Sequence, residues 1–382
     1  MLNDALKLIT MITDSGFDAY IVGGFVRDYI MGIESNDIDV TTNAKPKDLR
    51  EIFKDSVSPQ EDYGSVTVMF NNVRYEITTY RKEIGYISNR KPDRIEYIDD
   101  LYEDIIRRDF TVNSLCMDNK GNIIDLLGSR KDIENKVIKC IGDPDHKFSE
   151  DAFRILRAIR FATVLDFDIE ENTSKAINNQ KHLLKNLSYY RKKEELDKIF
   201  TSKNVCRGVR LLLKYGLDKE LEIENLKDVK SANNLIGVWT VLKVEDKYPF
   251  TSNEKSLIKN INTVLDKNNL DPYNLYKYGL YVNSVAGEIK GIDLKEISSR
   301  YQNLPIRSRK ELDITAQDII DMMGKEPGSY INEILGDIEY NVLYRKLKNN
   351  KEDICKYIEK KYKWKEVYRY EEWQFSRIIK DR

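Results

Sequence analysis

Apolar residues follow two different periods along the first part of the chain. Helical spacing occurs over residues 2–12, 25–31 and 46–53, and the last of these segments begins with a proline, which suits a first helical position. Residues 19–22 and 38–42 are short apolar or β-branched runs, which are typical of strands. Helix and strand signals therefore alternate here.

A β-hairpin is predicted next. The strand patterns of residues 65–70 and 73–80 are joined by an Asn-Asn pair, which suits a tight turn. Because this hairpin follows a strand–helix–strand beginning, the pattern predicts an α+β domain with a mixed sheet over residues 1–140. From about residue 147 the strand signals fade and helical spacing dominates, so the rest is predicted to be essentially all-α.

The 382 residues include 63 Lys and Arg against 64 Asp and Glu, which gives a net charge of −1. This balance excludes a uniformly basic nucleic-acid-binding coat but permits a segregated basic face. No apolar run approaches the roughly 20 residues that span a bilayer. The N-terminus also lacks the basic and apolar regions of a secretory signal.

Cysteine and histidine usage limits the possible metal chemistry. The four cysteines are far apart and form no CxxC pair, which disfavours a disulfide framework or a cysteine zinc site and fits a cytoplasmic location. His146 and His182 are too few for a three-histidine zinc site or a histidine-rich phosphohydrolase centre. Metal chemistry here must use carboxylates, which favours Mg²⁺.

A carboxylate pair follows a glycine pair in the predicted α+β domain. Asp37 and Asp39 are two apart, so on a strand they point to the same face, where two carboxylates suit hard cations. Gly23 and Gly24 stand at a strand-to-helix junction, where glycines let a backbone approach phosphates, and Arg27 adds positive charge. The alternatives are a surface turn for the aspartates and an ordinary tight turn for the glycines.

The final stretch, residues 341–382, is basic and aromatic. It has 13 Lys and Arg against 7 Asp and Glu, interleaved with tyrosines and tryptophans. Two interpretations stay open, namely a solvated helix with a packed aromatic face and a surface that contacts RNA phosphates.

The glycine and aspartate pairs together resemble the nucleotidyltransferase core of the polymerase beta superfamily. Residues 107–113, 125–128 and 150–161 then resemble, in order, the second, third and fourth motifs of class II tRNA nucleotidyltransferases, which include CCA-adding enzymes and bacterial poly(A) polymerases. Residues 188–199 resemble the fifth motif. Within it, Tyr190 stands where the family usually has an acidic residue and Lys192 where it has an aliphatic one.

The resemblance covers roughly the first 200 residues and implies roles for particular side chains. Asp37 and Asp39 correspond to the ligands of two Mg²⁺ ions that activate the 3′-hydroxyl of the RNA and stabilise the leaving pyrophosphate. Glu76 is either a third carboxylate that orients the attacking hydroxyl or a plain exposed strand residue. Arg107 is either a ligand contact or a surface residue. Positions that contact the nucleotide in the family correspond to Gly24, Arg27 and Arg108.

Four charged residues spaced by three are predicted to share a helix. The resemblance implies that Asp151 accepts a hydrogen bond from the exocyclic amine of cytosine or adenine, while Arg154 donates to the ring acceptors. Uracil and guanine would leave Asp151 unpaired, which disfavours UTP and GTP. Arg157 and Arg160 are assigned to the triphosphate or to helix stabilisation. Taken without the other motifs, the same spacing fits a solvated helix face with salt bridges.

The resemblance divides the chain into a nucleotidyltransferase head of residues 1–140, a nucleotide-recognition neck of 141–205 and a tRNA-binding body and tail of 206–382. It implies template-independent addition of CCA to tRNA from CTP and ATP. The segment 81–100 is either a solvent loop or the flexible loop that the family needs for adding A. The alternatives are a poly(A) polymerase or A-adding enzyme, a non-catalytic RNA-binding protein, and a fused metal phosphohydrolase, which the histidine count disfavours.

Overall fold

The computed structural model describes residues 1–54, 64–87, 91–229 and 234–363. The chain divides into two compact units, Met1–Pro249 and Phe250–Arg382. The predicted boundaries at residues 140 and 205 fall inside the first unit, and they stay predictions.

The first unit contains the described strands. Six of them form one sheet in the order β3-β4-β2-β1-β7-β8, with β2 and β4 parallel and the other pairs antiparallel. The predicted mixed sheet is therefore confirmed. The strands are β1 (Ala19–Val22), β2 (Asp39–Thr42), β3 (Ser65–Phe70), β4 (Val73–Thr79), β5 (Arg81–Ile87), β6 (Lys91–Tyr97), β7 (Cys116–Met117), β8 (Ile123–Ile124), β9 (Val137–Ile138) and β10 (Asp168–Ile169).

Helices make up most of the rest of the first unit, and the first three of them contact this sheet. Their apolar faces are buried, as Leu8, Ile9 and Ile12 show in the first helix. The helices of this unit are α1 (Leu2–Asp14), α2 (Gly24–Ile30), α3 (Pro46–Phe53), α4 (Leu101–Ile106), α5 (Ser129–Glu134), α6 (Pro144–Glu150), α7 (Phe153–Val164), α8 (Glu171–Gln180), α9 (Tyr189–Phe200), α10 (Val205–Lys214), α11 (Leu217–Glu220) and α12 (Leu235–Leu242).

The β3–β4 hairpin forms where the sequence predicts it. Asn71 and Asn72 both have positive φ, at 50° and 62°, which is the backbone geometry of a two-residue turn that matches strand twist. The turn sets the pairing of Phe70 with Val73. This register places Val66 opposite Ile77, and both are buried.

The predicted helical remainder is confirmed, apart from the two-residue strand Asp168–Ile169 (β10), which pairs in parallel with β9. The solvent-loop interpretation of residues 81–100 is wrong, since β5 and β6 form an antiparallel two-stranded sheet there. Both strands lack a clear apolar alternation, so their pairing depends on the partner strand rather than on local pattern.

The two unusual residues of the fifth motif lie on different sides of α9. Tyr190 is 70% exposed, whereas Lys192 is 2% exposed and its ammonium lies 4.7 Å from the centre of the Tyr189 ring. Burial lowers the pKa of Lys192. Lys192 therefore buries its methylene chain and keeps its charge over an aromatic face.

The second unit is helical and has its own core around Ile334, Ile338 and Ile354. In the described part of the basic final stretch, Tyr357 and Tyr362 pack against this core and both donate to Asp337. Trp364, Tyr368, Tyr370 and Trp373 lie outside the described residues. The helices of this unit are α13 (Ser252–Leu265), α14 (Pro272–Lys290), α15 (Leu294–Gln302), α16 (Ala316–Met323), α17 (Tyr330–Leu343) and α18 (Lys351–Ile358).

Candidate active site

A cleft of about 680 Å³ in the first unit brings together nine of the ten residues predicted for the site. Glu76 does not line it. The lining includes nine Arg and Lys residues against six Asp and Glu residues, so the cleft is cationic overall. Its charged residues are Arg27, Asp28, Asp37, Asp39, Arg81, Glu83, Arg107, Arg108, Asp109, Asp151, Arg154, Arg157, Arg160, Arg191 and Lys198.

The acidic part of the cleft lies at the start of β2. Ile38 is buried between Asp37 and Asp39, which are both exposed, so the two carboxylates point away from the core. Asp39 is the direct register partner of Glu76 on the parallel strand β4. Glu76 therefore stands beside the aspartate pair, although it is far from it in sequence.

The pKa of Asp39 reflects this crowding of negative charge. Loss of hydration, followed by the charges of Asp37 and Glu76, raises its pKa to about 6, and the positive charges of Arg108 and Arg157 oppose the shift. Although Asp39 is exposed, the surrounding cleft removes part of its hydration shell. Concentrated negative charge of this kind favours a divalent cation.

The glycine pair lies beside two side chains of the cleft. Gly23 has a φ of 83°, and a Cβ there would lie 3.9 Å from Asp39 Oδ2. A Cβ at Gly24 would lie 3.5 Å from Arg27 Nη2. Arg27 is 7% exposed and donates to Asn113 Oδ1 at 2.6 Å and to Asp28 Oδ1 at 2.8 Å, which fixes its guanidinium.

The four residues predicted to share one helix do not do so. Asp151 lies between α6 and α7, and its carboxylate accepts from the backbone N–H of Phe153 at 3.0 Å. Arg154, Arg157 and Arg160 are on α7. The reason is local, because Asp151 has extended backbone angles that end the first helix, and its side chain caps the first turn of the next.

Asp151 and Arg154 face the cleft with defined partners. Arg191 Nη2 lies 3.5 Å from Asp151 Oδ2, and burial raises the pKa of Asp151 against the opposing charge of Arg191. Arg154 donates to Glu150 Oε2 at 2.8 Å and to the carbonyl oxygen of Lys147 at 2.9 Å. These contacts hold the Arg154 guanidinium in one orientation.

Buried carboxylates hold the next two arginines of α7. Arg157 Nε donates to Asp109 Oδ2 at 2.5 Å, and Arg160 Nε donates to Glu195 Oε2 at 2.6 Å. Both guanidinium groups lie near the Phe161 ring, at 5.2 Å and 4.0 Å from its centre. The solvated-face interpretation therefore fails for these residues, because the carboxylates that they pair with are buried.

Sequence reasoning missed several functional candidates and left one open. Asp109 and Phe161 stand inside recognised motifs, so their positions gave a signal, but their contacts are to residues far along the chain. Glu83 gives no signal, because its segment has the polar composition of a loop. Arg107, for which the sequence allows either a ligand contact or a surface position, lines the cleft with a side chain that is 16% exposed.

The residues fit a bound anion and a cation supplied with it. Among the described residues, the buried Nε of Arg108 and Nη1 of Arg191 have no hydrogen-bond acceptor, and an anionic ligand would provide one. Within the same part of the chain, no group of three or more His, Cys, Asp or Glu side chains is placed to hold a metal ion. Asp37 and Asp39 line the same cleft as these arginines, so a cation at the two carboxylates could share its coordination with a phosphate ligand.

Replacing Asp39 with asparagine should stabilise the protein when no divalent cation is present. The folded-state pKa of about 6 exceeds the value of roughly 3.9 for a free aspartate. Stability from this group is therefore fully present below the free value and lost as pH rises through about 6. We expect Asp39→Asn to raise the melting temperature more at about pH 7.5 than at about pH 5.5. An equal effect at both pH values would contradict the charge repulsion.

Three family models match the chain in succession. The Poly A polymerase head domain matches residues 19–139, the probable RNA and SrmB-binding site of polymerase A matches 166–225, and the putative tRNA nucleotidyltransferase domain 2 matches 246–358. With the mixed sheet and its aspartate pair, these matches define the class as a nucleotidyltransferase.

Relatives over nearly the full length define the family more narrowly. The chain is 34% identical over 378 residues to the CCA-adding enzyme of Ligilactobacillus salivarius, covering 91% of this chain and 94% of the relative. It is 32% identical over 380 residues to that of Bacillus subtilis, covering 92% and 96%. The solved structure of the Bacillus stearothermophilus CCA-adding enzyme in complex with CTP superposes with a TM-score of 0.84 at 27% identity, covering 96% and 98%. The chain belongs to the family of CCA-adding enzymes.

Proposed function

We propose that the cleft of the first unit is the catalytic centre for adding the CCA end of tRNA, with Asp37 and Asp39 as its metal ligands. The chain adds and repairs the 3′-terminal CCA of tRNA from CTP and ATP without a nucleic-acid template, and it releases pyrophosphate. The observation that supports the site is the position of the aspartate pair in the same cleft as Asp151 and Arg154. Reacting groups and base-selecting groups are thus close to one nucleotide.

The proposed cofactor is Mg²⁺. Its ligands would be carboxylate oxygens, which this ion prefers, completed by oxygens of the substrate. When bound, such ions lower the pKa of the attacking 3′-hydroxyl and neutralise charge on the leaving pyrophosphate. The chain's own contribution is the exposed position of Asp39 at the first residue of β2 and of Asp37 two residues before it.

Neighbouring residues are assigned to the nucleotide and the primer. Arg27 and Arg108 supply fixed positive charge to the triphosphate, and Gly24 leaves room for it beside the backbone. Glu76, beside Asp39 on β4, orients the attacking hydroxyl. Arg157 and Arg160 add charge at the phosphate side.

Base selection is assigned to Asp151 and Arg154. Asp151 accepts from the exocyclic amine that cytosine and adenine share, and Arg154 donates to the ring acceptors. Uracil and guanine present a carbonyl oxygen at that position. This would place two acceptors together in a partly buried site, which is costly.

The β5–β6 hairpin is assigned to the addition of A. Replacing residues 85–93 with Asn-Gly is expected to leave C addition largely intact and to remove A addition. This change keeps the strand pairing at the start of the hairpin, where Glu83 lies opposite Ile95 and Arg81 opposite Tyr97. The measurement is the product length from tRNA transcripts that end before CC and after CC, each supplied with CTP and ATP.

A control variant tests whether a change in another surface turn affects the activities. Changing the exposed Lys120, in the turn before β8 and outside the cleft, to Ala should leave both activities unchanged. Equal loss of C and A addition in the hairpin variant would show instead that the segment is structural.

The proposed location is the cytoplasm. Cys116, Cys140, Cys206 and Cys355 are free thiols, and burial raises the pKa of Cys116 and Cys140 to about 12. Among the helices that the structure describes, none combines the length and apolar character needed to cross a bilayer.

A further inference from the structure

Asp104 is a buried carboxylate that four donors share. It lies in α4, and its side chain has no exposed surface. Oδ1 accepts from the backbone N–H of Arg81 at 3.2 Å and from Arg107 Nε at 2.8 Å. Oδ2 accepts from the Thr41 hydroxyl at 3.1 Å and from Arg108 Nη2 at 3.2 Å.

The carboxylate is held in its charged form. Burial raises the pKa of Asp104, but the positive charges of Arg108 and Arg107, with their hydrogen bonds, outweigh burial, so the pKa is lowered. Removing the charge would leave two adjacent guanidinium groups without their shared counter-ion.

The donors come from different parts of the site. Arg107 and Arg108 line the cleft, Arg81 begins β5, and Thr41 is on β2, two residues beyond Asp39. Glu83 adds a second link, because it accepts from Arg81 Nη2 at 3.1 Å and from Arg107 Nη1 at 3.3 Å. Asp104 therefore joins the strand that begins at Asp39 to two arginines of the cleft.

We propose that Asp104 is a positioning residue for the nucleotide, which fixes Arg108 in the cleft at a set distance from β2. The proposal rests on the proposed function of the cleft. Asp104 has no access to the ligand itself, so it acts only through the residues it holds. Arg108 has an Nε without an acceptor in the described chain, and a phosphate oxygen could satisfy that donor only if the guanidinium keeps this orientation.

A double-mutant cycle tests whether Asp104 acts through Arg108. The variants are Asp104→Asn, Arg108→Ala and the pair, made in the full chain and assayed for CTP incorporation into tRNA that lacks CCA. Each single change is expected to lower kcat/KM by about tenfold to a hundredfold, mainly through KM. The kcat/KM of the double variant should lie within about twofold of that of Arg108→Ala, because without Arg108 the change at Asp104 has nothing further to disturb.

If the two losses in kcat/KM multiply in the double variant, the proposal is wrong, since Asp104 then supports activity independently of Arg108. Thr41→Val is the matched control, because it removes one hydrogen bond to the same carboxylate oxygen but leaves the charge. It should lower the melting temperature and leave KM within about twofold of wild type. If Thr41→Val raises KM as much as Asp104→Asn does, the effect on KM comes from lower stability around Asp104 and not from the position of Arg108.

If Asp104→Asn does not fold, Asp104→Glu takes its place in the cycle, since it keeps the charge and displaces the guanidinium. The same non-additivity with Arg108→Ala is expected. The assignment of the cleft has its own separate test in Arg108→Ala and Asp37→Ala. If Arg108→Ala and Asp37→Ala both keep full activity, the proposed site is rejected. If both lose activity but the effects of the Asp104 and Arg108 changes are additive, only the role of Asp104 is rejected.

Discussion

Asp37→Ala and Asp39→Ala are each expected to abolish incorporation of CTP and ATP while tRNA binding stays within about twofold of wild type. The two carboxylates at the start of β2 are proposed to hold the cations that stabilise charge developing in the transition state. That contribution is several kcal/mol, and each 1.4 kcal/mol is tenfold in rate, so a loss of at least about a thousandfold is expected. We expect tRNA docking to depend mainly on contacts with tRNA phosphates, which removing a carboxylate does not weaken.

The measurement pairs single-nucleotide incorporation with tRNA binding on the same protein preparation. Glu51→Ala is a suitable control, because this carboxylate is exposed on α3 and lies outside the cleft. It should retain wild-type activity and binding. Activity within about tenfold of wild type in either aspartate variant would reject the metal assignment.

Asp151→Ala is expected to relax the choice of base. The amine of C or A would lose its acceptor, while the carbonyl of U or G would lose a repulsive neighbour. A hydrogen bond to a charged group contributes about 1.5–3 kcal/mol, which corresponds to roughly tenfold to a hundredfold in discrimination. UTP and GTP should therefore become measurable substrates relative to CTP and ATP.

The position of Asp151 requires the result to be expressed as a ratio. The carboxylate also caps α7 and pairs with Arg191, so its loss will slow all four nucleotides. That shared loss cancels when UTP is compared with CTP and GTP with ATP. Asp151→Asn is the matched variant, because it keeps an acceptor for the cap and adds an N–H donor, which favours UTP further than alanine does.

Arg157→Ala is the second control for this experiment. Its guanidinium is tied to Asp109 and is assigned to the phosphate side, so its loss should weaken every nucleotide about equally. A proportional slowing of all four nucleotides by Asp151→Ala would mean that the carboxylate serves only the helix. A change of base choice by Arg157→Ala and not by Asp151→Ala would reverse the assigned roles.

The local sequence pattern predicts an element correctly where the residues that stabilise the element all lie within one short segment. The Asn71-Asn72 turn follows from the backbone preference of asparagine, and the helices at 2–14 and 46–53 follow from apolar spacing. Local pattern was misleading at Asp151. The spacing of three suggested one continuous helix, but the aspartate side chain competes for the backbone and ends α6.

The hairpin of residues 81–97 shows a different limit. Its strands are charged and their apolar residues do not alternate regularly, so either strand alone resembles a loop. Pairing between the strands supplies the backbone hydrogen bonds that neither strand has alone. Whether these residues form strands therefore depends on two segments together, and the pattern of one segment alone does not predict it.

The sequence by itself determined the α+β beginning, the helical remainder, the aspartate pair and the ordered motifs that identify a nucleotidyltransferase. Only the tertiary structure decided that Glu76 stands beside Asp39, that Asp109 holds Arg157, and that Asp104 collects four donors from three separate segments. The physical reason is that helices and turns depend on neighbours within a few residues. Strand register and buried ion pairs depend instead on which distant surfaces pack together, because a buried charge must find its partner wherever the fold places one.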